Sequence, residues 1–177
     1  MARMATVIAA LVLGTLLAQQ GAAIAADRAH DWKTYRNQRF GFQLQYPKDL
    51  FKPGEPPTNG AGLDFLAKDG AEILAQASFN VDTDVTPQSY RQELGAAGNV
   101  SKDEGEGNWF VVVRNEQGTI WYDKVIFTCS NQLLNQLTFS YPADKSELYD
   151  PILRQVGESF RPGKGEDGPG DCLDPTR

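Results

Sequence analysis

The residues able to do chemistry are few, and their spacing does not assemble a reactive group. The sole histidine, His30, adjoins Asp31 near the N-terminus. One imidazole cannot be a nucleophile's base and complete a metal-ligand set at once, so His-rich zinc sites, facial-triad iron sites and Ser–His or Cys–His pairs lack their material. The nucleophile-elbow pattern Gly-x-Ser-x-Gly is absent. Gly163-Lys164-Gly165-Glu166-Asp167-Gly168 fits the spelling G-x-G-x-x-G. A phosphate cradle needs a strand before that pattern and a helix after it, whereas here a helical pattern precedes and Pro-Gly coil follows. Two acidic clusters remain, Asp82 with Asp84 and Asp103 with Glu104 and Glu106. Loop carboxylates are weak candidates for Ca²⁺, but neither cluster has the spacing of an EF-hand loop. Solvated loop faces are the expectation, and the sequence assigns no metal, no cofactor and no catalytic residue.

The two cysteines, Cys129 and Cys172, need a compartment before they can be read. Residues 1–25 hold one charge, Arg3, then the apolar and small-residue run from Ala5 to Ala18, then Ala23-Ile24-Ala25. That is the layout of a signal peptide with a small-residue cleavage site. The run is shorter than the roughly 20 apolar residues of a membrane-spanning helix. No Cys follows it to receive a lipid. Export to the periplasm or beyond is therefore expected, with no stable membrane span after cleavage. In an oxidising compartment an even cysteine count favours a disulfide. A Cys129–Cys172 bridge would close a loop of roughly 43 residues, worth about 4 kcal/mol if unstrained. A reactive thiol needs electropositive surroundings, and Asp171 and Asp174 flank Cys172.

Cleavage removes the +1 of Arg3 from the formal charge of −6, leaving −7. The basic residues are scattered singly, so phosphate-dominated binding to nucleic acid is disfavoured.

The remaining candidates are aromatic. Trp109, Trp121 and Tyr122 fall on neighbouring strand-like runs, and Trp121 and Tyr122 must point to opposite faces of a pleated strand. Whichever the helices leave uncovered is a candidate partner-contact anchor.

The elements that would position these residues follow from periodicity. Phe40, Phe42, Leu44 and Tyr46 alternate with Gly41, Gln43 and Gln45, and Pro47 ends the run. Asp69-Gly70 separates two strand-like runs, which is a hairpin signal. Thr86-Pro87 opens a short helix carrying Tyr90 and Leu94 on one side. Strands follow over 109–114, 119–129 and 133–142. The last helix places Leu148, Ile152, Val156 and Phe160 on one stripe with Tyr149 and Leu153 beside it. Pro151 within it predicts a kink or a break. The order gives an α+β fold: one antiparallel sheet of about six strands with helices packed on it.

Tyr35, Asn37, Phe40-Gly41-Phe42 and Tyr46-Pro47, the Asp-Gly hairpin, the helix after it, and the closing run Tyr149–Pro162 together resemble PsbP-like domains. The resemblance spans Tyr35 to Gly163. In one departure, Leu50-Phe51 stand where many relatives carry Trp. The resemblance implies a curved antiparallel sheet between helices, serving as a protein-binding accessory and not as an enzyme. It brings no catalytic motif. The expected organisation is a signal peptide over 1–25, a flexible segment over 26–34, the PsbP-like α/β domain over 35–161, and a tail over 162–177 tethered by the disulfide. The expected role is contact with a protein partner in the cell envelope. The alternative is a carrier of a small ligand or of Ca²⁺.

Overall fold

Alternation at the start of the folded region survives, but the backbone that carries it is not all strand. In a computed structural model, which describes residues 30–80 and 85–164, Phe40, Phe42, Leu44 and Tyr46 are all buried. Strand β2, however, is Gln43–Pro47, paired antiparallel with β1, Trp32–Arg36. The turn between them is organised by Asn37. Its Oδ1 accepts from the backbone N–H groups of Arg39 at 3.0 Å and Phe40 at 2.7 Å, as Asn does in turns. Gly41 adopts φ +78, a conformation that disfavours a side chain.

Strand β1 begins at Trp32, so residues 32–34, placed by the sequence reading in a flexible lead, are paired in register with Pro47, Tyr46 and Gln45. The cause is local. Trp32 and Tyr35 both pack against the core, and Tyr35 meets Phe65 edge-on at 5.4 Å.

The main sheet has seven strands, close to the about six expected. These are β3 (Phe51–Pro53), β4 (Gly62–Ala67), β5 (Glu72–Phe79), β6 (Asn99–Glu106), β7 (Trp109–Glu116), β8 (Thr119–Thr128) and β9 (Leu133–Pro142). Their spatial order is β3-β4-β5-β9-β8-β7-β6, and every pairing is antiparallel. The extra strand, β3, lies in a stretch whose prolines and glycines read as loop. Pro53 is tolerated there because β3 is an edge.

Helix α1, Pro87–Gly95, is capped by Thr86, whose hydroxyl accepts from the Ser89 N–H at 3.1 Å while Ser89 Oγ accepts from the Thr86 N–H at 2.9 Å. Helix α2, Ser146–Ser159, follows a short 3₁₀ turn, Ala143–Lys145. It runs through Pro151 without a break. Pro151 is exposed, so the carbonyl deprived of its partner can turn to water. The buried stripe is Tyr149, Ile152, Val156 and then Phe160, while Leu148 faces outward.

Register assigns the sheet two faces. One carries Ile73, Ala75, Leu137, Phe139, Tyr141 and Tyr122, packed beneath α2 and the β1–β2 hairpin. Rings dominate this layer: Phe139 lies 5.7 Å from Phe51, 5.4 Å from Tyr141 and 5.9 Å from Tyr149, all near edge-to-face. After α2 the chain crosses this face as a strap. Gln43 and Arg161 exchange backbone hydrogen bonds at 3.0 and 2.9 Å. The buried amide of Asn135 takes the Gly163 N–H at 2.9 Å, and Thr128 Oγ1 donates to the Gly163 carbonyl at 3.0 Å. A Cβ at position 163 would stand 1.8 Å from the Phe40 carbonyl oxygen, so only glycine lets the strap come this close. The first glycine of the G-x-G-x-x-G spelling thus has a packing role.

Among the described residues, the other face is covered by α1 over its β6–β8 end. There Tyr90 and Leu94 pack on Phe110, Val112, Val125 and Phe127.

Candidate partner-binding face

Cross-strand register lays out this second face as rows. Arg114, Trp121, Ser140, Glu72 and Leu66 form one row, and Val112, Asp123, Thr138, Leu74 and Asp64 the next. A third runs Phe110, Val125, Gln136, Gln76 and Gly62. At the β7 end the rows lie near or under α1. Toward β4 and β5 they emerge: Leu66 is 46% exposed, and Trp121, Leu74, Glu72, Gln76 and Asp64 are half-buried. An open depression of about 370 Å³ runs along this part, lined by Glu55, Asn59, Asp64, Glu72, Leu74 and Gln76 among others.

A buried polar network separates the covered and open parts. Arg114 Nη1 donates to Asp123 Oδ2, and both side chains are almost wholly buried. Gln136 Nε2 at 3.1 Å and Thr138 Oγ1 at 2.7 Å donate to Asp123 Oδ1. The Tyr90 hydroxyl, at the edge of α1, donates to Gln136 Oε1 at 3.0 Å. Burial, then the charge of Asp123, pushes that hydroxyl above the usual tyrosine range. With both carboxylate oxygens of Asp123 engaged, the network offers no free base. It holds α1 and four strand residues in one arrangement, since breaking one member would strand a buried charge.

The three aromatic candidates do not form one patch. Trp121 stands on the open face, with the Arg114 guanidinium 5.4 Å from its ring centre. Tyr122 points the other way, beneath α2, with its hydroxyl where a Cβ on Gly157 would come within 2.8 Å. Burial, followed by Glu104 and Glu158, raises that hydroxyl's pKa. Trp109 shares Tyr122's side of the sheet but lies near the outer edge, opposite Glu106 and Ile126, and is 38% exposed.

The acidic candidates are also dispersed. Asp82 and Asp84 fall outside the described residues. Asp103, Glu104 and Glu106 lie in strand β6 rather than in a turn, and the pleat sends Asp103 and Glu104 to opposite faces. Asp103 accepts from Arg91 Nε, and Glu104 sits 2.7 Å from Lys102 Nζ. Among the described residues no group of three or more His, Cys, Asp or Glu is placed to hold a metal ion. Cys172 lies outside the described residues, so its pairing with Cys129 does too. Also among the described residues, no helix is long and apolar enough to cross a membrane.

A second open depression, of about 380 Å³, lies between the β1–β2 hairpin and the end of α2, lined by Thr34, Gln43, Gln45, Gln155, Ser159 and Arg161 among others. Neither depression is an enclosed apolar chamber of the kind a small-molecule carrier uses.

Sequence reasoning missed Leu66, Leu74 and the Arg114–Asp123 pair. The signal for the leucines was present. In Gly62–Ala67, Leu63 and Phe65 take the buried positions, which leaves Leu66 as an apolar residue at an outward position beside Asp64. The ionic pair joins different strands and needs their register.

A sheet of seven antiparallel strands with a helix on each side and a hairpin closing one face is the PsbP-like fold. Two of the solved structures similar to this chain illustrate it. One is cyanobacterial PsbP (CyanoP) from Synechocystis sp. PCC 6803, at 12% identity and TM-score 0.54, over 75% of this chain and 93% of that one. The other is the Ran-binding protein Mog1p of Saccharomyces cerevisiae, at 11% identity and TM-score 0.52, over 75% of this chain and 96% of that one. At such identities the likeness is one of fold. No protein-family model matches the chain, and no curated protein matches it either.

Proposed function

We propose that the protein is an exported, non-enzymatic accessory module that binds a protein partner in the cell envelope through the open part of its sheet. The observation that carries this reading is the unequal treatment of the two sheet faces. One is closed by helix, hairpin and strap. The other leaves Leu66, Leu74 and Trp121 at outward positions on the face that carries the buried Arg114–Asp123–Gln136 network. An exposed leucine beside a half-buried one on the same sheet face is the kind of apolar surface a docking site provides. That the scaffold can serve protein binding is supported by Mog1p, a Ran-binding protein of the same fold. Export rests on the signal-like residues 1–25. The Cys129–Cys172 bridge belongs to the same reading, and the Cys129 sulfur lies 3.7 Å from the carbonyl oxygen of Lys164, on the segment leading to Cys172.

The test is crosslinking of the tagged protein in its native envelope fraction, with mass spectrometry of the adducts. One dominant protein adduct, lost in Trp121→Ala and retained in Trp109→Ala, is the expected result. An adduct lost with Trp109 and kept without Trp121 would move the contact to the other side of the sheet. Absence of any dominant adduct would overturn the reading.

A further inference from the structure

Resting on that protein-contact reading, we infer that the occupant of the open face is a basic segment, in which Lys or Arg side chains flank an apolar residue. The inference comes from the charges around the leucines. Asp64 and Glu72 lie on the face itself, immediately beside Leu74 and Leu66 in the cross-strand rows, and Glu55 borders the same depression. Among the described residues none of these three carboxylates is in an ion pair. Glu116, on the same face beyond Trp121, lies 3.9 Å from Arg114 and keeps 42% of its side chain exposed.

Two cations of this face have hydrogen-bond partners of their own. Arg114 is buried and bonded to Asp123. Lys52, opposite Leu66 in the register, turns its amine back to the Lys48 carbonyl at 3.0 Å. Leu66 and Leu74, with Trp121 farther along the row beyond Glu72 and Ser140, therefore sit within a rim whose net charge is negative, Lys52 being its one exposed cation among these residues. An acidic partner would bring its own carboxylates against this rim, and a neutral one would leave its charges without counter-ions. A basic one converts the rim into steering and register. The backbone of these strands is already paired on both sides within the sheet. Recognition must then run through side chains and not through strand addition, so an apolar residue settles between the leucines while its cationic neighbours reach Glu55, Asp64 and Glu72.

The experiment is an NMR titration of the ¹⁵N-labelled exported protein with a heptapeptide of alternating Lys and Leu, matched against Glu–Leu and Lys–Ser heptapeptides. The Lys–Leu peptide is expected to shift the amides of Asp64, Leu66, Glu72, Leu74 and Gln76 and the Trp121 indole, with weaker binding at higher salt. The two matched peptides should leave them in place. The double variant Glu55→Lys/Glu72→Lys should bind about tenfold more weakly, the sum of several exposed charge contacts. Glu55→Gln/Glu72→Gln should fall between it and the parent, and Glu147→Lys on α2 should match the parent. Equal affinity in the double variant and the parent, or shifts centred on another surface, would overturn the inference. If the native adduct still depends on Trp121 but ignores both double variants, the face binds a partner that is not basic. The docking surface then stands while this inference falls. Loss of the Trp121-dependent adduct itself would instead remove the reading beneath it.

Discussion

On strand β4 two neighbouring residues meet opposite fates. Phe65 is fully buried, its ring 4.3 Å from Tyr46 and 5.4 Å from Tyr35, under the hairpin that closes one face of the sheet. Leu66, one residue on, points the other way and is nearly half exposed. The same division runs across β5, β9 and β8. The closed face contains Phe51, Phe139, Tyr141 and Tyr149, interlocked edge to face. The half-open face carries leucines, carboxylates and one tryptophan. A sheet with both faces hidden needs apolar residues at nearly every position. Here each row of the second face passes from a stretch near or under α1 at the β7 end to an uncovered one toward β4 and β5, with the Arg114–Asp123 network between them. On the proposed reading, substitutions under the hairpin and at the buried network should cost stability, while those on the open β4–β5 part of the second face should cost partner binding alone.

The largest effect should come from the closed face. Phe65→Ala removes a fully buried ring and leaves a cavity, at a cost of about 3–5 kcal/mol in urea unfolding. A loss under about 1 kcal/mol would mean that the hairpin does not close over this residue. Next comes the boundary. Asp123→Ala leaves Arg114 buried without its carboxylate and Gln136 and Thr138 without their acceptor, and should cost about 3 kcal/mol. The double variant Asp123→Leu/Arg114→Met should recover most of that loss, since replacing a whole buried pair is far less damaging than halving it. Failure to recover would assign the network a role beyond charge neutralisation.

A smaller effect is expected where the β4–β5 turn meets α2. Asp69 accepts from Lys145 Nζ at 2.8 Å and from the Tyr149 hydroxyl at 2.7 Å. The Lys145 hydrogen bond is the main reason its pKa is lowered, against a partial desolvation that raises it. A depressed carboxyl pKa stabilises the fold above the unfolded value, near about 3.9. That stabilisation is lost as the pH falls through the lower, folded value. The stability difference between the parent and Asp69→Asn should stay constant from neutral pH to about pH 5 and shrink in more acidic solution. A difference independent of pH would show that the ion pair contributes nothing. The smallest effect sharpens the comparison most: Leu66→Ala, adjacent to Phe65, should change stability by no more than about 0.5 kcal/mol.

The closed face was largely legible in the sequence because its signals are local. The alternation from Phe40 to Tyr46, the Asp69-Gly70 turn and the helical spacing of Ile152, Val156 and Phe160 each depend on residues a few positions apart. Even so, the spacing puts Leu148 in the buried stripe, whereas Tyr149 occupies that position. The reason is that two adjacent apolar residues fit one helical face almost equally well. Strand β3 was hidden among prolines and glycines, and β1 lay in a segment with few apolar residues. The candidate site was the least legible part. Trp121 and Tyr122 were known to diverge, but which of them α2 would cover depends on the crossing of a helix far along the chain. The Arg114–Asp123 pair and the acidic rim around Leu66 and Leu74 arise from the order β4-β5-β9-β8-β7, which no local pattern encodes.

The proposed docking surface is the open sheet face and not the helical side. It is tested most directly by placing the photo-crosslinking residue benzoylphenylalanine at position 66 and, separately, at position 148. Leu66 and Leu148 are similarly exposed, at 46% and 42%, but Leu66 lies on the open face and Leu148 on the outer side of α2. In the native envelope the account predicts a discrete protein adduct from position 66 and only background from position 148. Equal labelling at both positions, or a discrete adduct from position 148 alone, would contradict it.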